Sequence, residues 1–308
     1  FKMWKKQKRE YVTELELHDL AQSNSEHSRH HIFRGELHDT RGITECLMDL
    51  VKEPLNVLDK KTDNSVVAFC DNSSAIKGYK QRHLIRTNPD VAGSQYTIQT
   101  KSVNTLFTAE THNFPTGIAP FPGAATGTGG RIRDSQAIGR GGMFIAGACG
   151  YCVGSLGLNC VKQIESPLPR NEYLWSGAEI LIQASNGASD YGNKIGEPVI
   201  QGFTRSFGMN LPQRKEWIKP IMFTSGIGMV YDEHLHKLPP KTGMLIARVG
   251  GPAYKLGIGG GTASSTGQTS GMLSKLESSV QRGDPEMEQK MDRFVRSCIE
   301  LGVRNPIS

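Results

Sequence analysis

Between Thr108 and Asp134 the chain reads TAETHNFPTGIAPFPGAATGTGGRIRD, and no other stretch constrains the fold and chemistry so tightly. Glu110, Thr111, His112 and Asn113 place a carboxylate, a hydroxyl, an imidazole and an amide side by side. A proline-rich bend follows, with Pro115, Pro120 and Pro122. Then comes a glycine-rich run, Gly123, Ala124, Ala125, Thr126, Gly127, Thr128, Gly129 and Gly130, closed by Arg131, Ile132, Arg133 and Asp134. Residues this small let backbone N–H groups approach an anion. Arg133 suits a bidentate clamp on phosphate, and Glu110 and Asp134 are hard oxygen ligands of the kind Mg²⁺ takes beside phosphates. The expectation is a loop that cradles a nucleotide; a tight turn is the plain alternative for the glycines alone. The chain has no Gly-Lys dipeptide and no Gly-x-Gly-x-x-Gly, so the standard phosphate loops are absent.

Composition bounds the rest. A chain of 308 residues is long enough for about two domains and buries about three quarters of its unfolded surface. The net charge of +6 fits small anionic substrates and is too scattered to argue for nucleic acid. Lys2, Lys5, Lys6, Lys8 and Arg9 open the chain with no apolar run behind them, which reads as a solvated helix face. No run approaches 18 apolar residues, so no membrane partner is expected.

Six cysteines in apolar or strand-like contexts suggest free thiols in a reducing compartment. Cys149 and Cys152 form a C-x-x-C without a second pair at zinc spacing. Gly150 to Gly154 matches a nucleophile elbow only formally, because SLGLNCVKQ behind it begins no helix; a buried strand of small residues is the preferred reading.

Along the chain, residues 1–38 read as a helical segment, with Val12, Leu15, Leu17 and Leu20 as a stripe and Ser23–Glu26 as a capping box. The helix it opens would carry His27, His30 and His31 on one face, a spacing that admits zinc but lacks a carboxylate ligand. Residues 39–165 read as one α/β domain with strands at 66–70, 94–100, 106–110 and 143–154. Arg140 reads as a surface charge. Residues 166–308 read as a second α/β unit. Its expected features are a helix capped near Ser185, Asn186 or Asp190, a glycine-rich turn holding Asp190, Lys194 and Glu197, and a buried strand at 244–251 running into the glycine loop 257–265. A substrate phosphate suits that last loop. At the end, Asp284 caps a helix, Pro285 takes its first position and Glu286 and Glu288 complement its dipole; Gly302 and Pro306 stop it.

The run ETHNFPTGIAPFPGAATGTGGRIRD also resembles the core motif of the phosphoribosylformylglycinamidine synthase family, in its large eukaryotic-like form. So do DLAQSNSEHSRH (19–30), ASNGASDYGNKIGEPVIQGF (184–203), EWIKPIMF (216–223), GGPAYKLGIGGGTASS (250–265) and VQRGDPEMEQKM (280–291), in the family's order. The resemblance implies an α/β (α+β) fold of mixed sheets with helices, like aminoimidazole ribonucleotide synthetase, preceded by a helical linker segment. It implies an ATP-dependent C–N ligase of purine biosynthesis. Formylglycinamide ribonucleotide attacks ATP through its amide oxygen, and ammonia from a glutaminase domain outside this chain displaces phosphate.

Carried over residue by residue, His27 and His112 are expected to move protons, Glu110 and Asp134 to bind Mg²⁺, and Gly123 through Asp134 to hold nucleotide. Thr111, Asn113, Arg133, Lys194, Gly260 and Ser264 are expected to contact substrate. Ser28 replaces a common Cys. Phe114 stands where relatives often carry a second His, and Thr108 where smaller relatives carry a nucleotide-binding Lys, which puts both contacts in doubt. The chain begins with Phe1 and ends at Ser308 ahead of the family's HDxGAGG-type motif, so an excerpt is expected, with a second synthase half as partner. A cytoplasmic setting is expected, or an organelle after removal of a transit peptide. Two rivals are a non-catalytic nucleotide-binding module and another enzyme of the same fold, such as selenophosphate synthetase; SEHSRH and VQRGDPEMEQ argue against the latter.

Overall fold

The computed structural model describes residues 11–23, 30–42, 44–58, 63–158, 175–210, 212–265 and 273–308. They form two compact units, one within Phe1–Asp63 and Gly257–Ser279, the other within Asn64–Leu256 and Val280–Ser308. One sheet takes strands from both sides of residue 165.

The first unit holds α1 (Glu14–Ser23), α2 (His30–Phe33), β1 (Glu36–His38), β2 (Thr44–Cys46) and α3 (Leu47–Val57). Its helix α1 starts at a capping box not read from the sequence: the Glu16 backbone N–H donates to Thr13 Oγ1 and the Thr13 N–H to Glu16 Oε2. Leu15, Leu17 and Leu20 are all more than half exposed, so the expected stripe packs little.

The second unit carries the main sheet: β3 (Ser65–Val67), β4 (Ser74–Ile76), β5 (Lys80–Arg86), β6 (Tyr96–Thr111), then α4 (Asn113–Ile118), α5 (Pro120–Ala137), β7 (Met143–Val153), α6 (Gly177–Ile195) and β8 (Val199–Ser206). A small hairpin of β9 (Gly208–Asn210) and β10 (Arg214–Glu216) leads into β11 (Ile221–Tyr231). The strand order is β3-β4-β6-β11-β7-β8, with β5 paired to the first half of β6. β11 runs antiparallel to both neighbours, and β7 pairs parallel with β8 across the division at 165.

The expected strands at 94–100 and 106–110 are one strand of 16 residues. Its second half alternates, with Asn104, Leu106 and Thr108 buried and Thr105, Phe107 and Ala109 exposed. The buried side meets α5, whose Ala124 shares a core cluster with Ala184 and Ala188 of α6, Cys149 and Met222. On the other side Phe107 and its register partner Ile227 are 52% and 43% exposed, so among the described residues helices cover one face.

Three further expectations change. Helix α6 starts well before Ser185, because Ser176 and Glu179 form a complete capping box. Residues 244–251 form no strand: Leu245 and Ile246 are fully exposed, and no described strand offers them a ladder. Arg140 is no free surface charge, since its guanidinium donates to the carbonyls of Asn305 and Ile307.

After the first unit's α7 (Gly260–Ser265) and α8 (Leu273–Ser279), the last helix, α9 (Pro285–Glu300), is as read. Asp284 accepts from the Met287 N–H, and Pro285 occupies the first turn. Cys298 and Ile299 are buried on its inner side. Gly302 follows with φ +59, a left-handed conformation that suits glycine.

Candidate active site

The glycine-rich run is not a loop. Residues 120–137 are a helix of 18 residues, entered through Pro120 with no side-chain cap. Inside a helix each N–H is spent on the carbonyl four residues back, so the backbone cradle expected from Gly123 to Gly130 is not available. Gly123, Ala124, Ala125, Thr126, Gly127, Thr128, Gly129, Arg131 and Ile132 are all buried. The small residues serve packing instead. A Cβ on Gly127 would lie 2.8 Å from the Cβ of His112, so the helix makes room for the imidazole's own attachment point.

His112 itself sits where β6 ends. Its N–H donates to the Met222 carbonyl at 2.9 Å, which continues the β6–β11 ladder by one residue. Asn113 Oδ1 accepts the Met222 N–H at 3.0 Å. Thr116 Oγ1 donates to the His112 carbonyl at 2.6 Å. His112 Nδ1 lies 2.5 Å from the Gly123 carbonyl. A carbonyl only accepts, so Nδ1 carries the proton, and in the neutral ring Nε2 keeps a lone pair. Glu110, two residues earlier, shares the sheet face of Leu106 and Thr108 but is exposed, and the Thr111 N–H donates to its Oε2.

Asp134 belongs to a polar network near the other end of α5. Asn72 Nδ2 donates to Asp134 Oδ1 at 3.0 Å, and Ser73 Oγ donates to the Asp134 carbonyl. Lys237 donates to both Asn72 and Asp71. Burial pushes the Asp71 carboxyl up, but Lys237 and the N–H groups of Asn72 and Gly139 outweigh it and hold the group below its ordinary value. No group of three His, Cys, Asp or Glu side chains suited to a metal occurs among the described residues. Of the two expected Mg²⁺ ligands, Glu110 stands beside His112 and Asp134 in the Asn72 network; carboxylate oxygens are the donor type that ion takes.

Two arginines on α5 separate sharply. Arg131 is wholly buried and gives Nη1 and Nη2 to the two oxygens of Glu197, also wholly buried. Its guanidinium lies over Gly147 and Gly226, register partners on β7 and β11. A Cβ on Gly147 would stand 2.6 Å from Nη2, and one on Gly226 closer still to Nη1. Arg131 is thus a core residue with no access to a nucleotide.

Arg133 is 45% exposed and donates through Nη1 to Glu288 Oε2 at 3.0 Å. It opens on a cavity of about 430 Å³ lined also by Thr126, Tyr254, Gln281, Arg282 and Glu288. Thr126 closes one wall, donating to the Gln281 carbonyl and accepting the Gly283 N–H, both at 3.0 Å.

The remaining expected residues are dispersed. Thr111 ends β6, exposed. Lys194 is in the last turn of α6, paired with Asp190 at 2.7 Å on its solvent side rather than in a glycine turn. Gly260 and Ser264 belong to the first unit, in the short helix α7. His27 lies outside the described residues.

Sequence reasoning missed Asn72, Lys237, Tyr191, Gln281 and the buried partner Glu288. Gln281 and Glu288 stood inside the quoted run VQRGDPEMEQKM, but the helix-start signal there gave Glu288 only a dipole role.

The fold is a mixed sheet with helices packed on one face among the described residues. No family profile matches the chain. It is 50% identical over 304 residues to a probable phosphoribosylformylglycinamidine synthase, chloroplastic/mitochondrial, of Arabidopsis thaliana, covering 96% of this chain and 21% of the relative. It is 48% identical over 302 residues to the phosphoribosylformylglycinamidine synthase of Homo sapiens, covering 95% of this chain and 22% of the relative. Among solved structures, T. maritima PurL complexed with FGAR shares the fold, with a TM-score of 0.50 and 22% identity over 97% of this chain and 37% of that one. The chain therefore corresponds to one segment of the phosphoribosylformylglycinamidine synthase family, spanning 21–22% of the length of those two curated relatives.

Proposed function

We propose that this chain carries part of the active site for ATP-dependent conversion of formylglycinamide ribonucleotide to the amidine, with glutamine-derived ammonia. The observation that most supports this is His112: the hydrogen bond from Nδ1 to the Gly123 carbonyl fixes the ring and its tautomer at the end of β6, as a proton-handling group requires. A site that only bound nucleotide would need no such base. His27, in the SEHSRH run, is proposed as the second proton-handling group.

Glu110 and Asp134 are the proposed Mg²⁺ ligands. When bound, the ion would neutralise phosphate charge, the main requirement of phosphoryl transfer. With no backbone cradle on α5, nucleotide contact falls to these carboxylates and to side chains at the helix surface. Arg133 is proposed to hold the substrate through donors not used by Glu288. Thr111, Asn113, Lys194, Gly260 and Ser264 are proposed to complete the substrate contacts; the hydrogen bond from Met222 fixes the Asn113 amide for that role.

The proposed partners are a glutaminase domain that supplies ammonia and a second synthase half. The apolar sheet face around Phe107 and Ile227, exposed among the described residues, supports a protein neighbour. No helix among the described residues is long and apolar enough to cross a membrane. A cytoplasmic setting is proposed, with an organelle as alternative because the plant relative is described as chloroplastic/mitochondrial.

Isothermal titration of ATP into the folded chain, with and without Mg²⁺, tests the reading. Binding that requires Mg²⁺ and weakens in Glu110→Ala is expected; no binding in either condition would count against it.

A further inference from the structure

Arg133 of α5 and Glu288 of α9 line the 430 Å³ cavity, and Tyr191 of α6 reaches Glu288. Both the Tyr191 hydroxyl and Arg133 Nη1 donate to the same oxygen, Glu288 Oε2.

The arrangement costs stability more than it contributes. Glu288 is 6% exposed, and its other oxygen, Oε1, is buried without a hydrogen-bond partner. An unsatisfied buried carboxylate oxygen is expensive. Burial pushes the carboxyl above its ordinary value despite Arg133 and Tyr191. A glutamine or methionine would fill the space at lower cost. A costly group retained beside a cavity marks a functional constraint more readily than a structural one.

The triad is also braced. The Tyr191 ring passes between Gly129 on α5 and Gly283 just ahead of α9, and a Cβ on either would lie 2.6 Å from a ring carbon. The ring cannot shift, so its hydroxyl fixes Glu288, and Glu288 fixes Arg133. Arg133 spends only Nη1 on this tether among the described residues. Its Nε and Nη2 remain to meet a ligand in the cavity. A half-exposed arginine without the tether would sample many rotamers and lose that freedom on each binding event.

We propose that Glu288, held by Tyr191, is a positioning residue that preorganises Arg133 for the anionic ribonucleotide substrate. This rests on the reading of Arg133 as a substrate contact. Glu288 is shielded from the cavity at its free oxygen and acts through the arginine.

Steady-state kinetics of the full-length enzyme test this, varying formylglycinamide ribonucleotide and ATP separately. Glu288→Gln keeps shape and removes charge. It is expected to raise KM for the ribonucleotide by about tenfold, the size of one lost charge-assisted hydrogen bond. KM for ATP should stay put, and the thermal midpoint should hold or rise. Tyr191→Phe should give a smaller rise of the same kind.

In an Arg133→Ala background Glu288→Gln should add nothing, because its effect runs through the arginine. Three results overturn the inference: an unchanged ribonucleotide KM in Glu288→Gln, equal losses for both substrates with a falling midpoint, or full additivity with Arg133→Ala. If Arg133→Ala leaves the ribonucleotide KM unchanged, the reading of Arg133 fails and this inference with it. If Arg133→Ala is defective and Glu288→Gln silent, only this inference fails.

Discussion

Arg131 and Arg133 stand two residues apart on one helix and meet opposite fates. Arg131 points into the sheet, where paired glycines leave room for its guanidinium and Glu197 takes both terminal nitrogens. Arg133 points to a cavity, half exposed, and holds its carboxylate by a single nitrogen. A two-point ion pair and full burial make the first a piece of the core. Unspent donors beside open volume make the second a candidate for binding. The same residue type in the same motif therefore takes a structural or a chemical role according to what its helix face meets.

The largest effect that would break this contrast is on stability. Glu197→Ala leaves a buried guanidinium without its counter-charge and is expected to cost about 3–5 kcal/mol. Urea unfolding of the chain would read this as a lower midpoint at unchanged slope. Arg131→Met with Glu197→Leu should recover most of the loss, since two apolar groups need no partner. A Glu197→Ala variant as stable as the parent would remove the core role.

Arg133 should behave differently. Arg133→Met is expected to cost less, about 1–3 kcal/mol, because the arginine is half exposed but its loss leaves the buried Glu288 carboxylate without its cation. In the full-length enzyme it should raise the ribonucleotide KM on the order of tenfold. A large stability loss with normal kinetics would place Arg133 with Arg131.

The smallest expected effect sharpens the Asp134 end of the helix. Asp71 is held below its ordinary carboxylate value in the folded state. Its contribution to stability is therefore present above pH 3.8, its ordinary value, and lost as pH falls through the lower folded value. Asp71→Asn should remove this part of the acid-side decline, so that the acid unfolding curve of the variant is shallower. An unchanged curve would show that Lys237 and Asn72 do not depend on that charge.

Legibility in the sequence followed the range of the physics. Helix α9 was readable because its signals are local: Asp284, Pro285 and Gly302 act within a turn of their own positions. Strand β7 was readable from its own apolar run. The glycine-rich helix was not. Four glycines in eight residues weaken helix propensity by about 1 kcal/mol each. What offsets this is contact with His112, Tyr191 and the helices around them, distant in sequence. Glu197 lies 66 residues from Arg131 and Glu288 155 from Arg133, so neither partner was visible locally. The strand expected at 244–251 failed for the converse reason: its apolar residues are real, but a strand needs a neighbour. At the site, Glu110, His112 and Asn113 were singled out from type and spacing, while the tautomer of His112 needed the Gly123 carbonyl that only the fold supplies.

The central claim is that His112 supplies a positioned base rather than a packing contact. His112→Asn in the full-length enzyme tests it most directly, because an asparagine amide N–H can keep the hydrogen bond to Gly123 while removing Nε2. Turnover should fall by about 10²–10⁴, the range for loss of a general acid–base group, with magnesium-dependent ATP affinity and thermal midpoint close to the parent. Full turnover in the stably folded variant would contradict the account, as would a parallel fall in turnover, affinity and midpoint.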